Sequence, residues 1–97
     1  MLTISDKDRA ITDRFFIAID ILKRRRTIRG LQTFTREHGW NYGNFCNLKN
    51  NRGIRSMKPE YLACLADDYG VSCEWLLLGR GEMFTQTNAR NVESPDP

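Results

Sequence analysis

Few side chains in this chain are spaced to make or break a bond, and many are placed to hold an anion. His38 is the only histidine, beside a glycine at the end of a short predicted helix, which suits packing or capping better than metal binding. Cys46, Cys64 and Cys73 are separated by 18 and 9 positions and lack the close ligand pairs of structural zinc sites. Cys46 reads as a small apolar residue, with a redox-sensitive contact as the competing reading. There is no Gly-rich phosphate loop, no nucleophile–base pair and no paired carboxylate in a credible setting. Asp67–Asp68 reads as a solvated helix edge. The expectation is therefore a chain with no catalytic residues, no metal and no cofactor. The cations are distributed differently. Lys23, Arg24, Arg25, Arg26, Arg29, Arg36, Lys49, Arg52 and Arg55 stand in a segment whose one acid is Glu37, so it carries +8, whereas the rest of the chain has six basic and eleven acidic residues and carries −5. A positive face of this kind is the electrostatic footprint of a nucleic-acid binder. Lys23–Arg26 also suits the negative C-terminal pole of a helix, but that does not account for Arg36, Lys49, Arg52 and Arg55.

The elements that must carry these charges are legible around Leu31–Asn50, LQTFTREHGWNYGNFCNLKN. A short helix is expected to run to His38. Gly39 then takes the C′ position, where a residue without Cβ adopts positive φ at little cost. Asn41 caps the next helix through its side-chain carbonyl. Phe34 faces inward from the first helix, Trp40 closes the corner, and Phe45 and Leu48 share one face of the second. That leaves Tyr42, Gly43, Asn44 and Asn47 pointing outward. Two short helices joined in this way form a helix-turn-helix unit, whose second helix enters the DNA major groove.

The chain has 97 residues, 40% of them hydrophobic, which fits one small all-α domain. No apolar run approaches the ~18 residues that span a bilayer. The polar start MLTISDKDRAITDR is unlike a secretory signal, and an odd number of cysteines without a CxxC pair fits a reducing compartment, so a cytoplasmic protein is expected. Five helices are predicted. The first begins near Asp8–Thr12, capped by Thr12 or Ser5, and ends near Arg26, with Ile11, Phe15, Ile19 and Leu22 on one face. Ile28 packs inward and the chain turns at Gly30. Lys49–Lys58 reads as a loop. Pro59 opens a fourth helix with Tyr61, Leu62, Leu65, Ala66 and Tyr69 on its buried face, and Gly70 ends it. Ser72 caps a fifth helix, CEWLLLG, and Met83–Phe84 folds back on it. The domain is expected over 1–84, with its helix-turn-helix core at 31–50 and a flexible tail at 85–97.

This order of elements, together with YGVSCEWLLLGRGEMF from Tyr69 to Phe84, resembles the phage lambda-type repressor family, the XRE-type helix-turn-helix proteins. The resemblance covers about Thr12 to Phe84. It implies a five-helix domain that binds operator DNA as a dimer and regulates transcription as a repressor. Carried over by position, it implies base contacts from Tyr42, Gly43, Asn44 and Asn47. An asparagine amide suits this work, because it pairs with adenine N6 and N7 at once. Phosphate contacts are implied for Gln32, Arg36, Lys49, Asn51 and Arg52, with Arg29 as a further candidate; these would position the domain without specifying sequence. The chain departs from the family at Leu31, where Gln is common, at Thr35, where Ala is preferred, and at Lys49, where an acid is frequent.

One short reading helix touches only a few base pairs, so proteins of this design pair and read two half-sites about one turn apart. Trp75, Leu76, Leu77 and Leu78 cannot all face one core, and Trp75, Leu77 and Leu78 are the expected dimer interface. The expected partners are double-stranded DNA and a second copy of the chain, with no membrane. A competing reading is a protein-interaction module, antitoxin-like, that meets its partner through the tail.

Overall fold

The computed structural model describes residues 5–85, and among them five helices account for most of the chain. These are α1 (Asp6–Arg24), α2 (Leu31–Glu37), α3 (Tyr42–Asn50), α4 (Pro59–Tyr69) and α5 (Cys73–Leu78). The predicted all-α class holds. Residues cluster into two units, Met1–Met57 and Lys58–Pro97, whose boundary falls inside the stretch 1–84 expected as one domain. No helix among the described residues is long and apolar enough to cross a membrane. The tail expected to be flexible lies, from residue 86 onward, outside the described residues.

The first unit is built on α1. Ser5 caps the helix, its Oγ accepting the Asp8 N–H at 3.1 Å, and Asp6 and Asp8 occupy the first turn, where the positive pole favours them. Thr12, the other candidate cap, is instead fully buried within the helix and donates its hydroxyl to the Asp8 carbonyl at 3.3 Å. The helix thus starts earlier than its apolar periodicity suggests, because its first turn is set by capping rather than by burial. Phe15, Ile19 and Leu22 are buried as expected, and Phe16 and Ala18 join them. The chain reverses at Arg26 (φ 64°) rather than at Gly30, whose φ of −168° is extended. Arg26 N–H reaches the Lys23 carbonyl at 3.0 Å and Thr27 N–H the Leu22 carbonyl at 2.9 Å, the paired bonds of a Schellman cap. Ile28 is buried immediately afterwards.

Phe34 and Thr35 from α2 and Phe45 and Leu48 from α3 complete this core. Thr35 replaces the small residue usual at a close helix approach, and its hydroxyl is satisfied by the Gln32 carbonyl at 3.0 Å. The rings pack edge-on: Phe15 to Phe16 at 4.9 Å, Phe16 to Phe45 at 5.4 Å and Phe34 to Trp40 at 5.4 Å between centroids. Edge-to-face geometry sets the positive rim of one ring against the negative face of another.

In the second unit Pro59 takes the first turn of α4 and Gly70 (φ 72°) ends it. Tyr61 and Leu65 are buried, while Leu62, Ala66 and Tyr69 are half-buried. Ser72 Oγ accepts the Trp75 N–H at 3.2 Å and opens α5. The expected return of Met83–Phe84 occurs through the backbone. Val71 and Phe84 form an isolated antiparallel bridge, Ser72 N–H donates to the Met83 carbonyl at 2.7 Å, and Thr85 N–H to the Gly70 carbonyl at 2.9 Å. Val71 and Leu76 are buried in this unit.

Candidate nucleic-acid interface

The turn between α2 and α3 forms as its residue types require. His38 is the C-cap of α2 and Gly39 follows at φ 74°. Nothing lies within 4 Å of where a Cβ on Gly39 would stand, so it is the positive φ that calls for glycine here. His38 Nδ1 is 2.9 Å from the Phe34 carbonyl. A carbonyl only accepts, so this nitrogen carries the proton in that bond. The imidazole also lies against Phe34 at 4.7 Å and Trp40 at 5.1 Å between centroids, as packing and capping would have it. Trp40 stacks on Phe45 at 6.2 Å and closes the corner.

Asn41 Oδ1 accepts the Asn44 N–H at 2.8 Å, as a helix cap should. With Phe45 and Leu48 turned inward, Tyr42, Gly43, Asn44 and Asn47 are all exposed. Their environments differ. The Asn44 side chain makes no hydrogen bond with the described residues. Asn47 Oδ1 accepts Asn51 Nδ2 at 2.8 Å, and the same Nδ2 donates to the Asn47 carbonyl at 2.9 Å. A Cβ on Gly43 would come within 3.1 Å of Asn41 Oδ1, so the absence of a side chain makes room for the cap. The hydrogen bond with Cys46 one turn on, followed by the charge of the Cys46 thiolate, raises the Tyr42 phenol above its ordinary pKa. Cys46 is half-buried, between the two readings of it.

The implied phosphate contacts separate into two kinds. Gln32, Arg36 and Lys49 are exposed, and neither Arg36 nor Lys49 forms an ion pair with a described residue. Asn51 and Arg52 are half-buried and already bonded within the protein. Arg52 donates from Nε to the Lys49 carbonyl at 3.0 Å and from Nη1 to Asp13 Oδ1 at 2.9 Å, and its guanidinium lies 4.8 Å from the centre of the Phe16 ring. It ties the end of α3 to α1. A guanidinium has five N–H donors, so those not used internally remain for an outside acceptor. Sequence reasoning missed the Asp13–Arg52 pair and the Tyr42–Cys46 contact. The second carried a signal, the spacing of four on one helix; the first carried none.

The residues expected at a dimer interface lie in the second unit. Leu76 is buried, Trp75 is half-buried, and Leu77 and Leu78 are 47% and 57% exposed. The run of four apolar residues therefore splits between the core and the outer side of α5. Compared with known protein families, with curated proteins and with solved structures, the chain matches none of them.

Proposed function

We propose that this protein is a sequence-specific DNA-binding regulator of transcription, repressor-like and without catalytic activity, that works in the cytoplasm. It reads base edges with Tyr42, Gly43, Asn44 and Asn47 on α3. Phosphates are held by Gln32, Arg36 and Lys49, with Asn51, whose side-chain donors are spent on Asn47, bracing the end of the reading helix and Arg52 both bracing it and offering its remaining donors. Two copies pair through Trp75, Leu77 and Leu78 on α5, so that two half-sites are read together. The observation that carries this reading is the outer face of α3: an exposed tyrosine, a glycine and two asparagines beside Arg36 and Lys49, which form no ion pair with a described residue, on the second helix of a glycine-turned pair.

Selection from a random duplex pool at near-physiological salt tests it. An enriched palindrome with half-sites about one helical turn apart is expected. A single enriched half-site would remove the dimer and keep the specificity. No enrichment, with binding that disappears as salt rises, would overturn the regulator reading in favour of charge-driven association.

A further inference from the structure

A surface cleft of about 540 Å³ lies in the first unit between the end of α1 and the start of α2, lined by Lys23, Arg26, Ile28 and Arg29. Its three polar walls are all cations. None of the three forms an ion pair with a described residue, whereas the neighbouring Arg24 is paired with Asp20 at 3.0 Å. Arg26 is also the one non-glycine among the described residues with positive φ. The position is the C′ residue of a Schellman cap, where glycine is the unstrained choice, yet the chain places a guanidinium there. Backbone strain of this kind, held in place by surrounding hydrogen bonds, marks a side chain whose location matters. Two of the helix-end carbonyls that would repel an anion are occupied: Leu22 O accepts from Thr27 and Ile28, and Lys23 O from Arg26.

We propose that this cleft binds a phosphoryl group, with Lys23, Arg26 and Arg29 as its ligands and Ile28 as the apolar part of the wall. Two guanidiniums and an ammonium match a multiply charged tetrahedral anion better than a single carboxylate, since each guanidinium can engage two oxygens. The cleft is larger than a phosphate, within the range of small-ligand sites, so the phosphoryl group belongs to something bigger: a phosphorylated small molecule or a phosphodiester backbone. The site rests on α1 and the turn after it and does not depend on α3 reading bases.

Inorganic pyrophosphate titrated into the full chain, followed by amide chemical shifts, tests the proposal. Saturable shifts confined to the amides from Lys23 to Gly30 are expected. Arg26→Gly should weaken binding by about tenfold or more, the loss of one charge-assisted hydrogen bond, without lowering the melting temperature, because glycine suits the left-handed backbone. Arg80→Gln, a charge change in the other unit, should leave pyrophosphate affinity within about twofold, well short of the tenfold step. Absence of saturable shifts at this turn, or equal losses in R26G and R80Q, would overturn the site. A random-sequence duplex added to the pyrophosphate complex separates the sources. Displacement identifies the DNA backbone as the ligand, and retained pyrophosphate identifies a free phosphorylated molecule. The titration without DNA gives its answer even if the chain binds no DNA.

Discussion

Asn44 and Asn47 face the same way but are not equally committed. Asn44 spends no side-chain donor or acceptor on the described residues, whereas Asn47 is held by Asn51. Asn44→Ala should therefore remove base preference at one position, worth roughly 1–3 kcal/mol against the wrong base, and leave affinity for random duplex unchanged. Competition binding with cognate and scrambled duplexes measures this, and equal losses on both would contradict the assignment. The cysteines also divide by environment. Partial burial, then the hydrogen bond to Asp68 at 3.5 Å and the charges of Asp68 and Asp67, push the Cys64 thiol up to about 12. Since only the thiolate is nucleophilic, Cys64 should carry roughly a thousandfold less reactive form than an ordinary cysteine at pH 8. Alkylation with iodoacetamide followed by peptide mass analysis should find exposed Cys73 modified well before Cys64, and comparable rates would refute the environment described. Residue-level exposure on α3 was legible because two inward positions three apart leave the others outside. The engagement of Arg52 was not, because its partner Asp13 is 39 positions away and no local pattern connects them.

Caps decide where the elements stop, and most caps are local chemistry that a sequence displays. Gly39, Asn41, Pro59, Gly70 and Ser72 all sit where their residue types place them. The end of α1 shows the limit. Arginine is an uncommon left-handed C′ residue, so Gly30 drew the turn in the reading of the chain, while the backbone took it at Arg26. Asn41→Ala removes the bond to Asn44 N–H and should cost about 1 kcal/mol, read as a lower urea midpoint at unchanged slope. Arg52→Ala loses a backbone hydrogen bond, an ion pair in which Arg52 is 28% and Asp13 40% exposed, and a ring contact. Exposure of the pair holds its own share below about 1 kcal/mol. The expected total is about 1–2 kcal/mol of stability, together with weaker binding to every duplex and a salt slope smaller by about one. A full salt slope in the variant would confine Arg52 to its internal role.

At the scale of the whole chain the two units carry opposite charge. Residues 1–57 hold twelve basic and five acidic side chains, +7, and residues 58–97 hold three and seven, −4. Under the proposed function, DNA binding would fall to the first unit and self-association to the second. Leu78→Lys places a charge on the exposed apolar side of α5, so it should shift the chain to monomer in sedimentation and leave half-site binding intact. A dimer that persists in the variant would move the interface elsewhere.

The two tryptophans fall one in each unit: Trp40 between His38 and Phe45, and Trp75 on α5. The protein thus contains two built-in fluorophores reporting on separate regions. A pair of variants, Trp40→Phe and Trp75→Phe, would let each region be watched alone as the temperature rises. Coincident transitions would mean that the halves lend one another stability, and separate ones that each is a cooperative body in its own right.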